Sequence, residues 1–243
     1  RKMSTINIYK GDNIQILREL KLDYKKGIFV SDPPFNVGYH YNTYSDNKPE
    51  EEYYNWLLDI FGHNKQVIVH YPESLYRHSF NIGMFPERVI SWVYNSNTPR
   101  QHRDIAFFGV NPDLSQVGQP YKNLTDKRIQ QRVKEGKEAK LYDWFEVDQV
   151  KNVNLEKTEH PAQMPLKVME NIIGVLPKDF TIIDPFLGSG TTAIACMTHD
   201  RNFVGIEIDE KYFNISQDRI NQRNILMGMS NSTNNIQKEL SLF

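Results

Sequence analysis

A chain of 243 residues with a formal net charge of −1 has room for one large core, or for one domain and a small insertion, and carries no global positive field to advertise a nucleic-acid partner. Its single cysteine, Cys196, excludes an internal disulfide and suits a reducing compartment, so a cytoplasmic location is expected. No apolar run nears the roughly 18 residues of a membrane span, no signal peptide is visible, and the histidines show no ligand-like spacing with Cys196, so neither a membrane nor a metal is expected.

The chain opens Arg1-Lys2-Met3, where Met3 reads as the natural start. Ile28-Phe29-Val30 is apolar enough for a buried strand and ends at Ser31-Asp32-Pro33-Pro34-Phe35, where two prolines stop any ladder. Residues 36–48 are polar and Tyr-rich and read as a loop. A helix is expected from Pro49 to Phe61, acidic in its first turn and stopped by Gly62. Gln66–His70, Arg88–Tyr94 and Asp104–Val110 read as strands. From 111 to 157 the apolar signal weakens, with a helical pattern over Asp126–Lys140. A helix then fits Pro165–Leu176, a strand Thr181–Ile183, a tight turn Asp184–Gly190 and a helix Thr191–His199. A strand over Phe203–Ile208 and a helix from Glu210 to Arg223 close the pattern, and the Ser/Asn-rich residues from 229 read as a flexible tail. Strands alternating with helices predict an α/β, doubly wound, mostly parallel sheet.

Thr181-Ile-Ile-Asp-Pro-Phe-Leu-Gly-Ser-Gly-Thr-Thr192 is a strand, a glycine turn and a helix start. Gly188 and Gly190 permit a tight turn and close backbone approach, and the helix N-terminus offers free N–H groups to a pyrophosphate or a carboxylate. Ala193 stands where the third glycine of a dinucleotide fingerprint would fall, an allowed variant. Glu207, roughly twenty residues beyond Asp184 at the next strand's end, is placed to accept from ribose hydroxyls, with Ile208 as an apolar lid on an adenine ring.

Asp32-Pro33-Pro34-Phe35 also follows a buried strand, so both motifs face one crevice beyond the carboxyl ends of the sheet. The prolines fix the Asp32 carboxylate and the Pro33 carbonyl as two rigid acceptors, which suits a planar NH₂ group. A ring amino group is a poor nucleophile because its lone pair is delocalised. Accepting both of its hydrogens favours a more tetrahedral nitrogen that can attack. Phe35 is expected to stack on the base.

Together these motifs resemble those of DNA amino methyltransferases, in the β-group order with the Asp-Pro-Pro-Phe tetrad ahead of the glycine turn. The resemblance implies a sheet of the S-adenosylmethionine-dependent methyltransferase type with a small target-recognition insertion. It also implies S-adenosylmethionine as methyl donor and double-stranded DNA as substrate with base flipping. Gly11-Asp12-Asn13 resembles the block that reaches the cofactor adenine, and His160-Pro161-Ala162-Gln163-Met164-Pro165 the block against its methionine half. The implied cofactor set is therefore Asp12, Asn13, His160, Gln163, Pro165, Asp184, Pro185, Phe186, Gly188, Ser189, Gly190, Thr191, Thr192, Glu207 and Ile208, with Thr191 the candidate for the carboxylate. The implied division is a catalytic half over 1–110, a target-recognition insertion over 111–157, a cofactor-binding half over 158–228 and a tail over 229–243.

Basic residues outnumber acids from Lys122 to Lys140, so Lys122, Lys127, Arg128 and Arg132 are candidate phosphate contacts. Arg100 and Arg103, expected on a loop between strands, and Tyr39 and Tyr41, expected over the flipped base, complete the DNA set. Asp32 favours adenine N6, since the cytosine-N4 enzymes of the resembled group usually carry Ser at that place; cytosine N4 is the alternative. An RNA or protein-glutamine methyltransferase would usually carry Asn there. An inactive DNA-binding specificity module is the rival of another class, and the intact pairing of Asp32 with the glycine turn disfavours it. A second copy of the chain and a cognate restriction endonuclease are candidate partners.

Overall fold

A computed structural model of the chain describes residues 4–39, 41, 43–151, 154, 156–228 and 236–237. The expected start at Met3 and most of the tail lie outside the described residues. The elements in order are β1 (Ile6–Lys10), α1 (Asn13–Glu19), β2 (Gly27–Ser31), α2 (Glu50–Phe61), β3 (Gln66–His70), α3 (Pro72–Ile82), β4 (Arg88–Val93) and β5 (His102–Phe108). There follow β6 (Gly118–Gln119), α4 (Lys127–Lys134), β7 (Ala139–Lys140), β8 (Trp144–Glu146), α5 (Leu166–Val175), β9 (Thr181–Asp184), α6 (Thr191–Thr198), β10 (Phe203–Glu207), α7 (Glu210–Leu226) and β11 (Ile236–Gln237).

The main sheet runs β11-β1-β10-β9-β2-β3-β5-β4-β8. Every pairing is parallel except those of β5 with β3 and β4. From β9 the chain crosses through α6 to β10 on one side, whereas from β2 it crosses through α2 to β3 on the other. The strand order therefore reverses between β9 and β2, and a crevice opens beyond their carboxyl ends.

Alternation within each strand builds two cores. Ile28, Val30, Val67, Val69 and Ile182 join Met169, Ile172, Cys196 and Phe213 on the face covered by α5, α6 and α7. Phe29, Ile68, Ile183 and Ile206 turn to the opposite face and pack under α1, α2 and α3, against Leu17, Leu57, Phe61 and Leu75. Strands buried on both faces read as unbroken apolar runs, which is why β2 and β9 are visible in the sequence. Arg201, itself buried, donates to the carbonyls of Ile173, Leu176, Pro177 and Phe180 and so closes the end of α5.

Two local expectations need correction, and several elements were not foreseen. The helix expected over Asp126–Lys140 is only α4, because Gly136 takes a positive φ of 69° and Ala139–Lys140 pairs with β6 instead. The strand expected over Asp104–Val110 begins earlier, at His102, so Arg103 lies in β5 and not on a loop. β1, α1 and α3 were not anticipated; α3 buries Leu75 and Ile82 but leaves Tyr76 and Phe80 exposed, so its apolar stripe is blurred. Within 111–157, α4 buries nothing, whereas β8 joins the main sheet beside β4 and Phe145 enters the core. No helix among the described residues is long and apolar enough to cross a membrane.

Candidate active site

The crevice holds a cavity of about 490 Å³ lined from both motifs. That size suits a nucleoside-sized ligand. Ser31 Oγ donates to Asp184 Oδ1 at 2.8 Å, joining the ends of β2 and β9 directly. The same carboxylate accepts from the Phe186 amide at 3.1 Å and from Thr192 Oγ1 at 2.6 Å. Asp184 thereby rivets the two halves of the site, and burial holds its pKa above the ordinary carboxylate value.

The glycine turn needs its glycines. Gly188 and Gly190 have φ of +53° and +80°, and a Cβ on Gly190 would lie 2.9 Å from Ser216 Cβ. A Cβ on Gly188 would lie 3.1 Å from His160 Nε2, so the His160 ring packs on the turn, edge-on to Tyr212 at 4.4 Å. Burial pushes His160 down to about 4, so the ring is neutral near pH 7. Glu207 organises the cradle: Oε2 accepts from the Gly188 amide at 2.7 Å and Oε1 from the Asp209 amide at 2.9 Å. Burial raises it to about 7. Each oxygen keeps capacity for a further donor. The Gly11 amide donates to the Glu207 carbonyl at 2.9 Å, and Asn13 Nδ2 to the Pro185 carbonyl at 3.2 Å. These bonds bring the Gly11-Asp12-Asn13 block over the turn, where Asp12 caps α1 through the Gln15 amide at 2.9 Å. Behind the turn, Arg219 donates to the Ser189 carbonyl at 2.6 Å and to Thr191 Oγ1 at 3.1 Å.

At the other end of the cavity, Asp32 Oδ1 is buried and has no hydrogen-bond partner, while Oδ2 lies 3.8 Å from Arg103 Nη1. Burial pushes this carboxyl up to about 7, against the pull of Arg103 and with a push from Asp184. The tetrad backbone is held by a relay that sequence reading missed. The Tyr71 amide donates to His70 Nδ1 at 2.7 Å, so His70 Nε2 carries the proton. Nε2 stands 3.0 Å from Tyr53 Oη, which donates to the Pro34 carbonyl at 2.7 Å. Burial pushes His70 down to about 3, which keeps it neutral. The neutral ring then stacks on Phe35 at 4.1 Å and 19°. Phe35 also carries the Arg103 guanidinium 4.6 Å from its centroid. The Phe35 ring is thus flanked by His70 and by the Arg103 guanidinium.

The Tyr-rich loop is a built element. Asp46, buried, accepts from the amides of Asn36, Val37 and Tyr39 at 2.7, 3.1 and 3.0 Å. Tyr39 and Tyr41 stand 5.2 Å apart, and Tyr44 stacks on Trp56 at 5.2 Å, all lining the cavity.

Asp12, Asn13, Asp32, Pro33, Pro34, Phe35, Tyr39, Tyr41, Arg103, His160, Asp184, Pro185, Phe186, Gly188, Ser189, Thr191, Thr192, Glu207 and Ile208 all line this one cavity. Gln163, Pro165 and Gly190 do not: Gln163 braces Thr158 at 2.8 Å, and Pro165 precedes α5. Arg100 sits at the rim, paired with Glu73 and 4.0 Å over the Tyr71 ring. Lys127, Arg128 and Arg132 line a separate shallow concavity, and Lys122 lies 4.2 Å over the Trp144 ring. His70, Tyr53 and Arg219 were missed because their partners lie far along the chain, and Asp46 because it gathers the amides of a loop that has no periodic pattern. Only His70 had a signal, as a polar residue at the carboxyl end of a strand.

A mostly parallel, doubly wound sheet with a glycine turn and an acid-ended strand at its switch point defines the nucleoside-binding α/β class. Residues 27–218 match the DNA methylase family, and the chain belongs to that family of N6 and N4 amino methyltransferases. The chain is 26% identical to the Type II methyltransferase M.BglII of Bacillus subtilis, over 94% of this chain and 71% of that protein. The solved PvuII DNA methyltransferase, cytosine-N4-specific, superposes with a TM-score of 0.62 at 17% identity, covering 95% of this chain and 97% of that one. The M1.HpyAVI–SAM complex superposes with a TM-score of 0.59 at 24% identity, covering 89% and 99%. The chain is a DNA methyltransferase of the β class.

Proposed function

We propose that this enzyme transfers a methyl group from S-adenosylmethionine to N6 of adenine in duplex DNA. The observation that carries the reading is the buried, unpartnered Asp32 Oδ1 at the base end of a cavity whose other end is a nucleoside cradle. The cradle fits the donor by its chemistry. Glu207 has capacity for ribose hydroxyls, Ile208 is exposed for an adenine face, and the N-terminus of α6 with Thr191 meets a carboxylate. The similar M1.HpyAVI structure, a complex with SAM, supports the same donor. When bound, that donor supplies an electrophilic methyl on a sulfonium. Asp32 and the Pro33 carbonyl accept the two amino hydrogens of the flipped base, and the His70–Tyr53–Pro34 relay keeps those acceptors fixed. The cavity-lining residues take these roles, and the chain divides after residues 110, 157 and 228 into a catalytic half, a target-recognition insertion, a cofactor-binding half and a tail.

Adenine is preferred over cytosine because Asp32 stands where the cytosine-N4 enzymes of the resembled group usually carry Ser. An anionic acceptor also polarises an amino group more strongly than a hydroxyl does. Mixed-sequence duplex DNA treated with enzyme and donor, digested to nucleosides and weighed by mass spectrometry, is expected to yield N6-methyladenine. Dominant N4-methylcytosine reverses the assignment, and no methylated base at all favours a specificity module. The Type II designation of M.BglII supports a role beside a cognate restriction endonuclease.

Segment 111–157 is proposed to read the target, with α4 on the phosphates. Neutralising Lys127, Arg128 and Arg132 together is expected to weaken DNA binding and to lower the log–log salt slope by about 0.9 for each lost phosphate contact. A slope equal to that of the wild type makes α4 an ordinary solvated helix.

A further inference from the structure

We propose that Arg103 is a placeholder for the target base: in the DNA-free enzyme its guanidinium lies between Asp32 and Phe35, and it leaves for a backbone phosphate when the base arrives. The inference rests on the methyltransferase reading of this cavity. A guanidinium and the amidine edge of an amino-bearing base are alike in being planar, in stacking on an aromatic ring and in offering N–H donors to a carboxylate. Arg103 thus meets the two groups that the reaction assigns to the base.

The two groups over Phe35 are held very differently. His70 is locked through both ring nitrogens, by the Tyr71 amide at 2.7 Å and by Tyr53 Oη at 3.0 Å. Arg103 Nε is buried without a hydrogen-bond partner, and its approach to Asp32 is 3.8 Å, longer than a hydrogen bond. The guanidinium is held by charge, by a side-chain hydrogen bond with Tyr94 and by the rings of Phe35, Trp92 and Tyr94 at 4.6, 5.3 and 5.9 Å. Asp32 Oδ1 is likewise unpartnered. The resting pair leaves one donor and one acceptor unsatisfied. An amino base with two N–H groups satisfies the acceptor, and a phosphate satisfies the released arginine. With His70 immobile, the face of Phe35 that can be vacated is the one under Arg103. The side chain is 19% exposed, so a path outward is open.

The probes are adenosine, which offers the base without a phosphate, and adenosine 5′-monophosphate, which offers both. Cytidine and its monophosphate run in parallel. Each is titrated by calorimetry into enzyme saturated with S-adenosylhomocysteine. The wild type is expected to prefer the monophosphate. Arg103→Met removes the charge and the planar donor, so it is expected to bind the nucleoside about tenfold more tightly than the wild type does and to lose the preference for the monophosphate. Arg103→Lys keeps the charge without the plane and is expected to retain the phosphate preference. Affinity for S-adenosylhomocysteine, whose cradle Arg103 does not touch, reports whether each variant is folded. Nucleoside binding by Arg103→Met that is equal to or weaker than that of the wild type overturns the proposal, and assigns Arg103 to reading the base instead. The broader reading fails separately, if the wild type methylates no base in duplex DNA.

Discussion

Asp32→Asn is expected to reduce methyl transfer at least about a hundredfold, while affinity for S-adenosylmethionine stays within error. The mutant keeps one acceptor oxygen and the shape of the turn, but loses the charge that draws electron density onto the amino nitrogen. Its other atom becomes an N–H donor facing the donor group of the base. Turnover by single-turnover methylation and affinity by calorimetry separate the two effects. Turnover within about tenfold of the wild type, a difference of roughly 1.4 kcal/mol, removes Asp32 from the chemistry.

The same carboxyl predicts a pH dependence with a definite sign. Burial has pushed Asp32 up to about 7 from the ordinary carboxylate value of 3.8. The acceptor form is the anion, so wild-type turnover rises with pH through about 7 and levels off above it. For stability the sign is opposite. The folded state holds its proton longer than the unfolded chain, so stability falls as pH rises from about 4 to about 7. Asp32→Asn removes that loss, and its melting temperature is expected to exceed that of the wild type at pH 8 and to converge with it below pH 4. A site poised for catalysis at the expense of stability behaves in this way.

Glu207→Ala is expected to weaken cofactor binding by roughly 1.5–3 kcal/mol, about ten- to hundredfold in Kd. Two contributions act together. In the proposed reading the carboxylate is a charge-assisted acceptor for ribose hydroxyls. It also holds the Gly188 and Asp209 amides at 2.7 and 2.9 Å, and removing it leaves both without their partner. Glu207→Gln preserves the shape but turns an amide NH₂ toward one of those donors, so it is expected to fall between the two. An unchanged Kd for Glu207→Ala in a protein with native circular dichroism removes Glu207 from cofactor binding, both as a ribose acceptor and as a brace of the turn.

The parts of this site visible in the sequence are those encoded over a few neighbouring residues. Gly188 and Gly190 are needed because their backbone occupies positive φ against Ser216 and His160. Pro33 and Pro34 end a strand by lacking N–H groups, and Ile28–Val30 is apolar throughout because β2 is covered on both faces. Such local necessities survive in the order of residues. The family resemblance joined them into one site, and the register of β2 with β9, closed by Ser31 and Asp184, is the physical form of that joining.

Other parts were decided only by the tertiary structure. The helical pattern over Asp126–Lys140 was cut at Gly136 because Ala139–Lys140 found a strand partner in Gly118–Gln119, a pairing no local pattern records. Arg103 resembled a surface cation until β5 began at His102 and carried it into the cavity beside Asp32. Nor does the spacing of His70, Tyr53 and Pro34 along the chain announce the relay that holds the Asp32–Phe35 turn. Turns, strand ends and buried runs are governed by the chain's own sterics and by burial of its apolar side chains, so the sequence by itself determined them. The surroundings of Asp32, and with them its charge at neutral pH, depend on partners brought together by the sheet, so they were decided by the fold.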